Sequence, residues 1–203
     1  MRKIIVDDTT QWLKTIDSMD SVITSLPDAE ETNMDFKEWR RWFVDCIVQI
    51  MQKTENYCIF YQTDRKKNGS VKSKSFLVNY AAEKAGMDMK WHKIVLRRKV
   101  GTVDLFRPGY THLICFSKNG KSGKATPDVI DKGKMIYKNA MGLDACKFAC
   151  DFVKANSNTK TIFDPFCGQG SIVAMAEMFG FDAVGVEILP EYAEKSRKLV
   201  IPK

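Results

Sequence analysis

The sequence predicts an α/β fold, a mostly parallel sheet with helices on both faces. Segments of strand character alternate with helical ones along nearly the whole chain, and strands joined through helices pair in parallel. Between Thr161 and Glu187 the order strand, glycine turn, helix, strand is complete, which makes a βαβ unit. With 203 residues, 44% apolar and 28% charged, the chain has the size and composition of one domain with its own core.

The first strand is read at Ile4-Ile5-Val6, three adjacent β-branched residues. A short helix is expected over residues 12–16 and a second strand over 21–24, ended by "SLPD". Pro27 has no backbone donor and biases Leu26 towards an extended conformation, so the chain leaves the sheet there. Within residues 34–53, Phe36, Trp39, Phe43, Ile47 and Ile50 recur at spacings of three and four, the pattern of an amphipathic helix. A strand follows at 57–62, then a helix at 75–86 closed by Gly86. Strands at 90–97 and 112–117 flank the loop "RKVGTVDLFRPGY". Residues 118–134, polar and rich in Gly and Lys, are expected to form a long surface connection. A helix over 143–155, a strand at 161–164, a helix over 171–180 and a strand at 183–187 come next. The last helix, 190–199, has Pro190 in its first turn.

The six cysteines include no CxxC pair, and Cys146 and Cys150 lie four apart in an apolar helical pattern, so buried small hydrophobes are expected and no metal site. Cys167 reads as a small side chain in a tight turn in preference to a nucleophile. No apolar stretch is long enough to cross a bilayer, and "MRKIIVDDTTQW" lacks the apolar core of a signal peptide, so an intracellular, reducing location is expected. The net charge of +7, with basic clusters at 64–74, 93–99 and 117–124, suits a polyanionic partner.

In the βαβ unit Asp164 ends a strand, Gly168 and Gly170 form the turn, Ser171 starts the helix and Glu187 ends the next strand. Glycines let the backbone approach a ligand, free amides at a helix start favour a negatively polarised group, and a strand-terminal acid can accept two ribose hydroxyls. The third glycine of the dinucleotide pattern is missing. The wording "DPFCGQGS" resembles the S-adenosylmethionine (SAM) site of methyltransferases that act on amino groups of nucleic acids. That resemblance implies a Rossmann-like fold and SAM as cofactor. It places Asp164 and Phe166 at the methionine end, Gly168, Gly170 and Ser171 where the loop meets SAM, and Glu187 at the ribose.

In the permuted members of that group the acceptor motif, Ser/Asp-Pro-Pro-Tyr, precedes the cofactor loop, and "KIIVDDTTQWLKTIDSMDSVITSLPD" is similar to their first segment. The resemblance then implies that Asp7 or Asp8 approaches the adenine. It also implies a single domain with an acceptor-pocket half at 1–117, a connection at 118–134 and a SAM-binding half at 135–203. "SLPD", "IFYQTD", "WHKIV" and "AMGLDAC" together look like a small family of predicted SAM-dependent methyltransferases of no assigned substrate.

By the same resemblance Ser25 and the backbone at Leu26 and Pro27 hold the target nitrogen. Leu26 replaces the first proline of the motif, and Asp28 replaces the aromatic ring that stacks on an extruded base. Asp28 has three readings: a helix cap, with Glu31 at the capping-box spacing, a substrate contact, or a general base. Arg97, Arg98, Arg107 and Tyr110 are expected to bind substrate, because arginines hold phosphates and aromatic rings stack on bases. His92 reads as a satisfied core or edge histidine. The expected function is SAM-dependent methylation of a base nitrogen in nucleic acid, RNA ahead of DNA, without a membrane partner. A protein or small-molecule acceptor, or a non-catalytic SAM- or RNA-binding subunit, are the alternatives.

Overall fold

A computed structural model describes residues 1–67 and 69–201. The chain runs β1 (Arg2–Val6), α1 (Thr9–Trp12), β2 (Ser21–Thr24), α2 (Ala29–Thr32), α3 (Phe36–Lys53), β3 (Cys58–Gln62), β4 (Arg65–Lys67), β5 (Ser70–Lys72) and α4 (Lys74–Ala85). It continues β6 (Asp88–Leu96), β7 (Tyr110–Ser117), β8 (Val129–Asp131), α5 (Leu143–Asn156), β9 (Thr161–Asp164), α6 (Ser171–Met178), β10 (Asp182–Glu187) and α7 (Pro190–Lys198). β4 and β5 form a separate hairpin, and the other eight strands make one sheet in the order β1-β10-β9-β2-β3-β7-β6-β8. Within it only β7 runs against its neighbours β3 and β6. This is the mostly parallel α/β sheet that the alternation of elements predicts.

The period-two alternation of strand side chains feeds two cores, one on each face. Ile23, Ile59 and Tyr61 point to the side covered by α5 and α6, while Val22, Cys58 and Phe60 point to the side covered by α3 and α4. α3 starts where Asp35 accepts hydrogen bonds from the N–H groups of Lys37 and Glu38, and it buries Trp39, Phe43, Ile47 and Ile50 as its periodicity requires. α4 is capped by the Ser73 hydroxyl and stops at Gly86, whose φ of 65° is left-handed. All six cysteines are buried and unpaired.

Three expectations need correction. The first helix begins at Thr9, before residue 12, because the Asp8 carboxylate accepts from Thr10 and Gln11 N–H and opens the helix early; a 3-10 turn then covers Leu13–Thr15. The segment 118–134 is not only a connection. Its residues Val129–Asp131 extend the sheet beside β6, steadied by Lys93, which donates to Asp128 at 2.9 Å and to the Thr126 carbonyl at 3.0 Å. The β4–β5 hairpin lies in a stretch for which no element was expected, whereas α2 starts at the capping box that the spacing of Asp28 and Glu31 offered as one reading.

Candidate active site

From β9 the chain passes through α6 to β10, and from β2 through α3 to β3, so the two halves wind outwards from the central β9–β2 pair. In a doubly wound sheet a crevice opens at such a switch point, beyond the carboxyl ends of the strands. Here Thr24, the last residue of β2, donates to Asp164, the last residue of β9, at 2.6 Å. The "SLPD" and "DPFCGQG" loops therefore leave the sheet side by side.

The expected cofactor residues gather at the carboxyl ends of β1, β10 and β9. Burial pushes the Asp164 carboxyl up to about 7, with the Glu187 charge adding to the rise while hydrogen bonds from Thr24 and the Phe166 N–H oppose it. Glu187 accepts from the N–H groups of Gly168 and Leu189, each at 2.9 Å, and burial raises its pKa despite those bonds. Gly168 (φ 52°) has nothing within 4 Å of where a Cβ would stand, so space is open over the loop. Gly170 (φ 95°) serves a different end: a Cβ there would sit 2.9 Å from the Cα of Ser196 on α7. Ser171 donates to the Tyr137 hydroxyl at 2.9 Å, and Phe166 meets Trp42 edge-on at 5.9 Å. Asp8 caps α1 two residues after Val6, the partner of Glu187 across β1 and β10. Cys167 fills the space left by Gly185, where a Cβ would lie 2.7 Å from its sulfur, and burial pushes its thiol far above the usual range. It packs as a small buried residue in the turn, and a raised thiol pKa disfavours the thiolate.

In the "SLPD" loop Ser25 is exposed and Leu26 is buried. The Pro27 carbonyl accepts from the Trp39 indole at 3.1 Å, which fixes the loop to α3. Asp28 stands at the N-cap of α2, and the Glu31 carboxylate accepts from its N–H at 2.7 Å. Its own carboxylate is committed to cations: Lys74 Nζ at 2.5 Å, Arg107 at 3.5 Å and Arg65 at 3.6 Å. Asp64 accepts from the N–H of Lys74 at 2.8 Å and is approached by His112 Nε2 at 3.3 Å. The other ring nitrogen of His112 meets His92 Nε2 at 2.8 Å, so His92 is satisfied at the sheet surface, where burial lowers its pKa. Arg98 pairs with Asp104 at 2.6 Å, Tyr110 lies edge-on to His112, and the N–H groups of Arg97 and Arg98 both donate to Gly109. Of the four residues expected to bind substrate, Arg107 is the one that reaches Asp28. Gln62, buried at the end of β3, has neither amide atom hydrogen-bonded among the described residues.

Sequence reasoning missed Thr24, Trp39, Tyr137, Lys74 and Arg65. Thr24 had a local signal, a hydroxyl at the end of a strand beside the acceptor loop. Lys74 had none, because its partner Asp28 is 46 residues away in the chain.

No protein-family model matches the sequence, and no curated protein is similar to it. Solved structures are similar over nearly its whole length. A candidate DNA modification methylase of Thermus thermophilus, TTHA0409, in complex with S-adenosyl-L-methionine, superposes with a TM-score of 0.74 at 17% identity, covering 98% of this chain and 94% of that one. The M1.HpyAVI–SAM complex gives 0.70 at 15% identity, with 98% of both chains covered. The cytosine-N4-specific PvuII DNA methyltransferase gives 0.74 at 14% identity, covering 97% of this chain and 85% of that one. The likeness assigns the fold: a Rossmann-like sheet of the kind these proteins share.

Proposed function

We propose that the chain is a SAM-dependent methyltransferase acting on an amino nitrogen of a nucleic-acid base, built in permuted order as one domain. The observation that carries this reading is the Thr24–Asp164 hydrogen bond, which sets the acceptor loop against the glycine turn at the switch point. The open space over Gly168 and the half-buried Glu187 carboxylate, bonded among the described residues only to the backbone N–H groups of Gly168 in the glycine turn and Leu189 after β10, suit a nucleoside. The similar structures support the reading, two of them being SAM complexes and one a cytosine-N4-specific enzyme. The names of the Thermus thermophilus and PvuII proteins speak of DNA, and nothing in the comparisons supports the expected preference for RNA. Among the described residues no helix is long and apolar enough to cross a membrane.

SAM supplies an electrophilic methyl group on a charged sulfur. The contribution of the chain is position: Glu187 holds the ribose, the Gly168 backbone admits the ligand, and Ser25 with the Leu26 carbonyl accepts hydrogen bonds from the target amino group so that its lone pair faces the methyl. The amine needs no base before transfer, since it loses its proton only after the new bond has formed. Asp28, paired with three cations at the N-cap of α2, suits the cap and substrate-contact readings better than that of a base.

Calorimetric titration with SAM tests the cofactor reading. Saturable binding is expected for the parent, weakened at least tenfold, about 1.4 kcal/mol, in Glu187→Ala. A parent that gives no binding heat while folded would overturn it. Labelled SAM offered with DNA, RNA and protein fractions then identifies the acceptor, and label in protein alone would replace the nucleic-acid reading.

A further inference from the structure

Asp28 stands where the resembling enzymes carry an aromatic ring, and cations from three separate segments surround its carboxylate. Lys74, at the start of α4, takes Oδ1 at 2.5 Å. Arg65 on β4 and Arg107 in the β6–β7 loop approach Oδ2 only to 3.6 and 3.5 Å. These are ion pairs too long for hydrogen bonds, so both guanidinium groups keep donors free. Glu30 is approached by Arg65 at 3.6 Å and by Lys67 at 3.5 Å, so Asp28 and Glu30 between them pair with four cations. The two arginine side chains are 27% and 30% exposed. A cavity of about 180 Å³ on the Arg65 side has Asp28, Glu30 and Asp35 in its wall with Arg65, Lys67, Lys72 and Lys74, while Arg107 lies outside that wall.

The cluster is held from outside. Lys66 donates its N–H to the Phe106 carbonyl and its Nζ to the Asp104 carbonyl, both at 2.9 Å, which ties the β4–β5 hairpin to the loop carrying Arg107. The Asp104 carboxylate in turn accepts from the N–H groups of Phe106 and Arg107. Lys74, nearly buried, neutralises one oxygen of Asp28, and the other oxygen keeps the two guanidinium groups from repelling one another.

The geometry points to a phosphate-binding clamp in which Asp28 spaces Arg65 and Arg107 to hold a phosphodiester of the substrate strand beside the acceptor nucleotide. Guanidinium forks match two phosphate oxygens, so the strand is gripped by its backbone where an aromatic ring would grip the base. The inference rests on the reading that the acceptor is a nucleic acid.

The test is equilibrium binding of fluorescein-labelled oligonucleotides of one sequence, as single-stranded DNA, single-stranded RNA and duplex DNA, across a salt series without SAM. Arg65→Gln and Arg107→Gln should each weaken binding roughly five- to tenfold. Each should also flatten the salt slope by about 0.7 for single strands or 0.9 for duplex. Arg65→Lys and Arg107→Lys keep the charge without the fork, and should restore the slope but not the full affinity. Lys147→Gln, on α5 at the opposite face of the sheet, should change neither. Glutamine variants that stay folded by circular dichroism and keep the parent affinity and slope would overturn the clamp and leave the methyltransferase reading standing. A parent that binds none of the three oligonucleotides would overturn the nucleic-acid reading and the clamp with it.

Discussion

The burial of Asp164 couples folding stability to pH. Its carboxyl is pushed up to about 7 by burial, against about 3.9 for an exposed aspartate, so between those values the folded state binds a proton that the unfolded state does not. Its contribution to stability is therefore fully present below about pH 4 and is lost as pH rises towards 7, the reverse of an ion-paired aspartate. His92 works in the opposite direction: its lowered pKa costs stability as pH falls below the ordinary histidine value of about 6.5. Asp164→Asn removes the first effect and keeps the second. The melting temperature of the parent minus that of the variant should fall steadily from pH 4.5 to 7; a difference independent of pH would show that Asp164 is ionised throughout. Asp164, Gly168 and Glu187 were legible in the sequence because they end the strands and form the turn of one βαβ unit at fixed local spacing. Lys74 and Arg65 were not, since an ion pair leaves no periodicity and its partners meet only after folding.

At the scale of elements the two glycines of the turn differ in what a Cβ would meet, open space at Gly168 and Ser196 of α7 at Gly170. Gly170→Ala forces a Cβ against Ser196 at a φ of 95° and should cost about 2–4 kcal/mol, read from the urea midpoint. Gly168→Ala meets no neighbour within 4 Å and should cost only about 1–2 kcal/mol, the price of a left-handed backbone, yet lose SAM binding because the methyl fills the open space. Equal stability losses in the two variants would refute this division. The long helices α3 and α5 were readable because their apolar spacing repeats over several turns. Helix α2, four residues long, left only the capping-box spacing of Asp28 and Glu31 as a signal, and strands β4, β5 and β8 left none, because three residues are too few for an alternation to show against a polar background.

In the whole molecule the N-terminal strand lies beside the last one, β1 against β10, with Arg2 as the tie. Its guanidinium pairs with Glu177 of α6 at 2.5 Å and donates to the carbonyls of Ser196 and Leu199 at 2.7 and 2.8 Å. The arginine side chain is only 12% exposed, so Arg2→Ala leaves polar groups without a partner and should lower the unfolding free energy by about 2–3 kcal/mol in urea titration. A loss below about 0.5 kcal/mol would mean that strand pairing alone holds β1. Alternation of elements implied parallel pairing, but strand order depends on which faces and edges fit together across the whole chain.

The sequence by itself determined the α/β class, the principal helices and strands, and the βαβ turn with its terminal acid, because each follows from local periodicity or from backbone geometry that only glycine or proline permits. Tertiary structure alone decided that β2 and β9 are neighbours, that Gly170 serves α7, and that Asp28 is held by Lys74, Arg65 and Arg107. Those outcomes depend on groups far apart in the chain, whose attraction and fit take effect only once the sheet brings them together.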